Sequence, residues 1–183
     1  LRNSSAASDV YKRQIMADYL GLLQPQFSLT KTNPHMNQRL HITVATVVAK
    51  EDKFLMVEEL QGGETVYNQP AGHLEFGESL VNAAVRETLE ETNWTVEVTH
   101  VLGIYHYIAN DSEAHYVRHC FIAEPIEEVH GRALDQDIIS VAWLTYEQIV
   151  NRAKQLRSPL VIRNIDDYMS GVKHPLTIER ALP

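Results

Sequence analysis

Short stretches of β-type patterning fill much of this chain and are interrupted near the middle by a stretch of helical period. Residues 41–49 (HITVATVVA) form an almost continuous β-branched apolar run, which predicts a buried strand. Residues 53–57 (KFLMV) follow a polar turn at Lys50, Glu51 and Asp52, so the two runs predict a hairpin. Gly62 and Gly63 mark a second turn before an extended piece at residues 66–69, which Pro70 ends because it has no N–H to donate. A glycine-containing loop is expected over residues 71–77.

Residues 79–92 predict a helix with Ser79 as its N-cap, and Val81, Ala84, Val85 and Thr88 fall on one face that should be buried. Residues 95–108, 116–123 and 139–144 are rich in Val, Ile and Tyr and predict further strands. Thr145 with Gln148 makes a capping box for a second helix reaching about Ala153. Ser158 and Pro159 open a third helix, which Gly171 closes. This order of elements predicts an α/β sandwich around a mixed sheet. Residues 1–35 show no sustained period and are expected to be a disordered tail. The opening LRNSSAASDVYKRQ resembles a translated sequencing adapter; Met16 and Met36 are the candidate natural starts, Met36 preferred because the core pattern begins just after it, with a single domain expected over residues 36–183.

Composition narrows the possible partners. With 183 residues and 44% apolar content, the chain suits one core. Its net charge of -8, from 24 acidic and 16 basic residues, argues against a nucleic-acid backbone or an anionic membrane as the main partner. An acidic protein binds phosphates only with cations between the like charges. Cys120 is the single cysteine, so no intramolecular disulfide is possible and a cytoplasmic site is favoured. No apolar run approaches the roughly 20 residues needed to cross a bilayer. The expected partner is a small phosphorylated molecule, and the expected assembly a monomer or small homo-oligomer.

Chemistry concentrates on the first predicted helix. Glu87, Glu90 and Glu91 stand at i, i+3 and i+4, where side chains are neighbours. Taken alone they read most simply as a solvated acidic face. They sit, however, in a longer spacing with Gly72, Glu78 and Arg86, G-x5-E-x7-R-E-x2-E-E, which resembles the Nudix box of the Nudix hydrolases.

That resemblance implies an α/β/α sandwich with a mixed sheet, and magnesium, or manganese in its place, as cofactor. It assigns the metal to Glu87, Glu90, Glu91 and the backbone carbonyl of Gly72, with Asp137 as a further acidic ligand, and the general base to one of the three glutamates. Glu78 and Arg86 would pair to hold loop against helix, and Arg86 is counted with the catalytic residues for its place among the glutamates. Thr88 and Asn93 depart from the family pattern. Thr88 should send its hydroxyl to a carbonyl one turn back, and Asn93 should close the helix in the left-handed conformation.

Further segments, ITVATVV, FLMVEE, NQPAGHLE and LRSPLV, resemble the NudJ-type phosphatases of that family over about residues 36–178. This implies hydrolysis of nucleoside tri- and diphosphates and of thiamine and hydroxymethylpyrimidine pyrophosphates, with release of orthophosphate. Gln69 and His73 would support the site and substrate, with Glu75 in the same loop. Tyr105, Tyr107 and Tyr116 read either as a ring-stacking wall with a phosphate-binding Arg118 or as ordinary strand packing. Arg157 and Ser158 either reach the substrate's far end, or Ser158 only caps the last helix. The alternatives are a hydrolase of ADP-ribose or dinucleoside polyphosphates, and a non-catalytic nucleotide-binding Nudix module.

Overall fold

A computed structural model describes residues 40–109 and 114–178, and the expected tail lies outside the described residues. In chain order the strands are β1 (Leu40–Lys50), β2 (Lys53–Gln61), β3 (Glu64–Asn68) and β4 (Ala71–His73), followed by helix α1 (Leu80–Thr92). Then come β5 (Trp94–Ile108), β6 (His115–Glu128), β7 (Ile138–Thr145), α2 (Tyr146–Val150) and α3 (Leu160–Met169), with 3-10 turns at Ala153–Gln155 and Leu176–Ile178. Among the described residues no helix is long and apolar enough to cross a membrane.

The sheet is mixed, as its patterning predicts. β1 runs parallel to β6 from Leu40↔His115 to Val48↔Ala123, while β5 pairs antiparallel with β6 and β4 antiparallel with β1. The hairpin expected of β1 and β2 survives only at its turn, where Ala49 and Lys50 pair with Phe54 and Lys53. Both edges of β1 are taken by β4 and β6, so β2 finds its long ladders with β3 and β7 instead. Residues 71–73, expected as loop, form β4. Ala153, expected at the end of α2, lies in the 3-10 turn after it.

Helices flank the sheet. α1 buries Ala83, Ala84 and Thr88 against Val44, Val48 and Phe121, with Val81 and Val85 partly buried at the same contact. The hydroxyl of Thr88 donates to the Ala84 carbonyl at 2.7 Å and meets the Thr46 hydroxyl at 2.8 Å, so this polar substitution is satisfied in the core. Thr43, Arg118 and Tyr105 share a register across β1, β6 and β5, and alternation turns them away from Val44 and Thr46. On that other face the Tyr105 hydroxyl donates to Asp167 of α3 at 3.0 Å, while α3 buries Leu160, Val161, Ile162 and Ile165.

Candidate active site

Local sequence sets the frame of α1. The Ser79 hydroxyl accepts from the Asn82 N–H at 3.1 Å, and Asn93 closes the helix at φ 59° with its N–H on the Leu89 carbonyl. The loop before the helix is fastened by one arginine. Arg86 donates from Nε and Nη2 to the two oxygens of Glu78 at 3.1 and 2.7 Å, and Nη2 also reaches the His73 carbonyl at 3.1 Å. Its Nη1 donates to Glu87 and to Glu90, each at 2.9 Å. Bonding to Arg86 holds the Glu78 carboxyl below the usual carboxylate range, and the same contact raises the guanidinium further above its ordinary value.

The carboxylates beyond Arg86 sit differently. Glu87 is buried, and its carboxylate lies directly over the Cα of Gly72, in the space that a Cβ there would fill. Burial pushes Glu87 above the usual range, with Arg86 opposing. Glu91, also buried, accepts from the Ala71 N–H at 2.9 Å. Burial raises it well above the usual range, the Ala71 bond opposes, and nearby Glu59, Glu87 and Asp135 add to the rise. Ligand atoms of Glu87, Glu90 and Asp135 lie within 4.8 Å of one another, a set of hard oxygen donors suited to a divalent cation. Asp135 is brought there by its N–H on the Glu90 carbonyl at 3.2 Å. Glu91 stands outside that trio. Asp137 lines the same cleft, and its carbonyl accepts from the Leu60 N–H at 3.0 Å.

This cluster opens into a cleft of about 1330 Å³. His73, Tyr107, Tyr116, Arg118 and Arg157 line it, but Gln69 and Tyr105 do not. Gln69 is fully buried and ties β-structure to α3, donating to the Val161 carbonyl and accepting from Asn164, each at 3.2 Å. Tyr105 is occupied with Asp167 under α3. At the rim His41 stacks on Tyr116 with centroids 4.9 Å apart and lies 3.0 Å from His73, whose pKa is lowered first by burial and then by His41 and Arg157. Glu59 and Asp135 are among the cleft residues that sequence reasoning missed. Glu59 is buried beside the register shift in β2 and pairs with Arg157 at 2.7 Å. Its signal was a charged residue continuing an apolar strand, in FLMVEE. Asp135 had a weaker signal, being one of two aspartates in a loop.

Comparison with known proteins agrees with this geometry. A NUDIX domain matches residues 39–164. The proteins named Phosphatase NudJ of Shigella boydii serotype 4 and Escherichia coli K12 are each 43% identical over 136 residues, 74% of this chain and 88% of theirs. A solved NUDIX hydrolase from Nitrosomonas europaea superposes with a TM-score of 0.77 at 37% identity, covering 79% of this chain and 98% of that one. Nudix hydrolases generally use divalent metals, and the cluster of Glu87, Glu90 and Asp135 is chemically compatible with one. The domain match, the identity to curated relatives and the shared fold together establish that this chain belongs to the Nudix hydrolase family.

Proposed function

We propose that this protein removes orthophosphate from nucleoside tri- and diphosphates and from small pyrophosphates such as thiamine pyrophosphate, with magnesium as its cation and manganese as a substitute. The observation that carries the proposal is the set of oxygen donors from Glu87, Glu90 and Asp135 beside Gly72, at the mouth of a cleft able to hold a ring-bearing substrate. The likeness to phosphatases named NudJ supports orthophosphate release.

Glu87, Glu90, Glu91 and the Gly72 carbonyl are the proposed ligands, joined by Asp135, and Asp137 lines the same cleft. The bound cation supplies neutralisation of phosphate charge and activation of water. Arg86 holds the Glu87 and Glu90 carboxylates in place through Nη1. Glu91, whose affinity for protons is raised by burial, is the glutamate we assign to take the proton from water. Tyr107 and Tyr116 line the cleft beside the proposed substrate, and packing of a ring against aromatic side chains is tolerant of ring type. Arg118 and Arg157 stand at the substrate's distal end. Gln69 and Tyr105 are left with roles in packing α3.

A substrate panel scored for orthophosphate against nucleoside monophosphate tests the assignment. Orthophosphate should appear from nucleoside tri- and diphosphates and thiamine pyrophosphate, and chelator should abolish all of it. Cleavage only at an internal linkage, with AMP released from ADP-ribose and thiamine pyrophosphate untouched, would replace it with a dinucleotide pyrophosphatase. Full turnover in chelator would remove the metal from the reaction.

A further inference from the structure

The floor of the cleft carries polar atoms that the protein leaves without partners. Thr43 Oγ1, Glu59 Oε1, Asn68 Oδ1 and both Nε and Nη1 of Arg118 are buried and have no hydrogen-bond partner among the described residues. These residues come from β1, β2, β3 and β6, are only 4–8% exposed, and all line the cleft. Buried polar groups are satisfied in the great majority of cases, and each one left alone costs about 1–3 kcal/mol. Four such residues meeting in one cavity mark a place shaped for a polar ligand.

Their chemistry says what kind. Glu59 Oε1 and Asn68 Oδ1 accept, the Arg118 nitrogens donate, and the Thr43 hydroxyl does either. A phosphate offers acceptors only. It would satisfy Arg118 but leave Glu59 Oε1 and Asn68 Oδ1 without donors and bring a second negative charge beside Glu59. Arg157 already neutralises Glu59 through Oε2, so the floor holds a charge-balanced acceptor beside an unspent cationic donor. The matching group is a heterocycle edge with an N–H donor next to a ring or carbonyl acceptor.

We propose that Thr43, Glu59, Asn68 and Arg118 form a hydrogen-bonding floor that reads the polar edge of the substrate's ring and sets which ring-bearing pyrophosphates are turned over best. The inference rests on the hydrolase function proposed above and sharpens it. Stacking on Tyr107 and Tyr116 accepts any ring, while the floor discriminates among edges, because a site built to hydrogen-bond rejects a ligand that leaves its buried groups unpaired.

Three substrates separate the possibilities: uridine diphosphate, its N3-methyl derivative with the edge blocked and the ring face intact, and ringless tripolyphosphate. The wild-type enzyme should turn over the methylated compound with kcat/KM about tenfold lower than the parent, the loss falling in KM. Glu59→Gln should lower kcat/KM for uridine diphosphate about tenfold and leave tripolyphosphate within about twofold. Thr43→Val, close to isosteric, should give a smaller loss of the same pattern and serves if Glu59→Gln fails to fold. Equal use of parent and methylated substrate would overturn the proposal, as would a parallel loss with tripolyphosphate, which would make the floor a phosphate site. Calorimetry with methylene-bridged uridine diphosphate and its N3-methyl form isolates binding from chemistry. Edge-dependent binding without hydrolysis of any nucleoside diphosphate would sink the hydrolase assignment and keep the floor, whereas equal binding of both analogues would sink the floor alone.

Discussion

Glu78 and Glu91 belong to one loop and helix, and the fold holds them in opposite ways. Glu78 receives two bonds from Arg86 and a third from the Glu75 N–H, and its proton affinity falls below the usual range. Glu91 is buried with the Ala71 N–H as donor and acidic groups around it, and its proton affinity rises. Folding therefore stabilises the Glu78 charge and opposes the Glu91 charge. One is a fastening; the other carries a charge that the fold opposes, as the proposed role in binding a cation or a proton requires.

The largest test of this contrast is Glu91→Gln, which keeps the shape and removes the charge. Turnover should fall by about a hundredfold or more, while the metal-free protein becomes more stable. Because the folded pKa of Glu91 lies above its unfolded value, the folded state binds the proton more tightly, and the charge costs stability at neutral pH. That cost fades as pH falls through the raised value. Thermal melts in chelator should show the variant's advantage greatest near neutrality and shrinking in acid. A variant less stable than the parent at neutral pH would break the contrast.

Gly72→Ala comes next. The backbone there is not in the left-handed region, so alanine is conformationally allowed, but its Cβ would take the place of the Glu87 carboxylate. Since that carboxylate is the end of a flexible side chain, it should move and the fold should survive. We expect turnover to drop about ten- to a hundredfold with a cooperative melt retained. Normal kinetics would show that the position of Glu87 does not matter.

Glu78→Gln should act on stability first. Losing the charge-assisted pairing with Arg86 should cost about 1–3 kcal/mol at neutral pH. The folded pKa of Glu78 is depressed, so its contribution is present above the ordinary carboxylate range and is lost as pH falls through the folded value. Denaturant unfolding should find the gap to the parent closing in acid, the reverse sense to an ion pair of no consequence, which would show no gap at any pH.

The smallest expected effect is Tyr105→Phe. Removing the bond to Asp167 should cost about 1 kcal/mol or less and leave KM for nucleoside diphosphates unchanged, because Tyr105 does not line the cleft. A raised KM would return Tyr105 to the substrate wall.

What the sequence by itself determined is local. Three glutamates at helical spacing, the Ser79 cap, the Asn93 stop, the Thr145 and Gln148 capping box and the hydroxyl of Thr88 are fixed by 3.6-residue geometry and neighbouring backbone groups, and each appears as its spacing predicts. Strand alternation likewise puts Tyr105 and Tyr107 on one face. It does not say what covers that face: α3 packs over Tyr105, while Tyr107 opens into the cleft. Only tertiary structure chose Asp135 to join Glu87 and Glu90, since loop closure onto the Glu90 carbonyl, and not spacing along the chain, decides which of two aspartates arrives. It also placed Glu59 on the cleft floor, by pairing β2 with β3 and β7 once β4 and β6 had taken the edges of β1. Spacing within a helix is set by the covalent chain, but convergence of residues from separate strands is set by which edges remain free to pair.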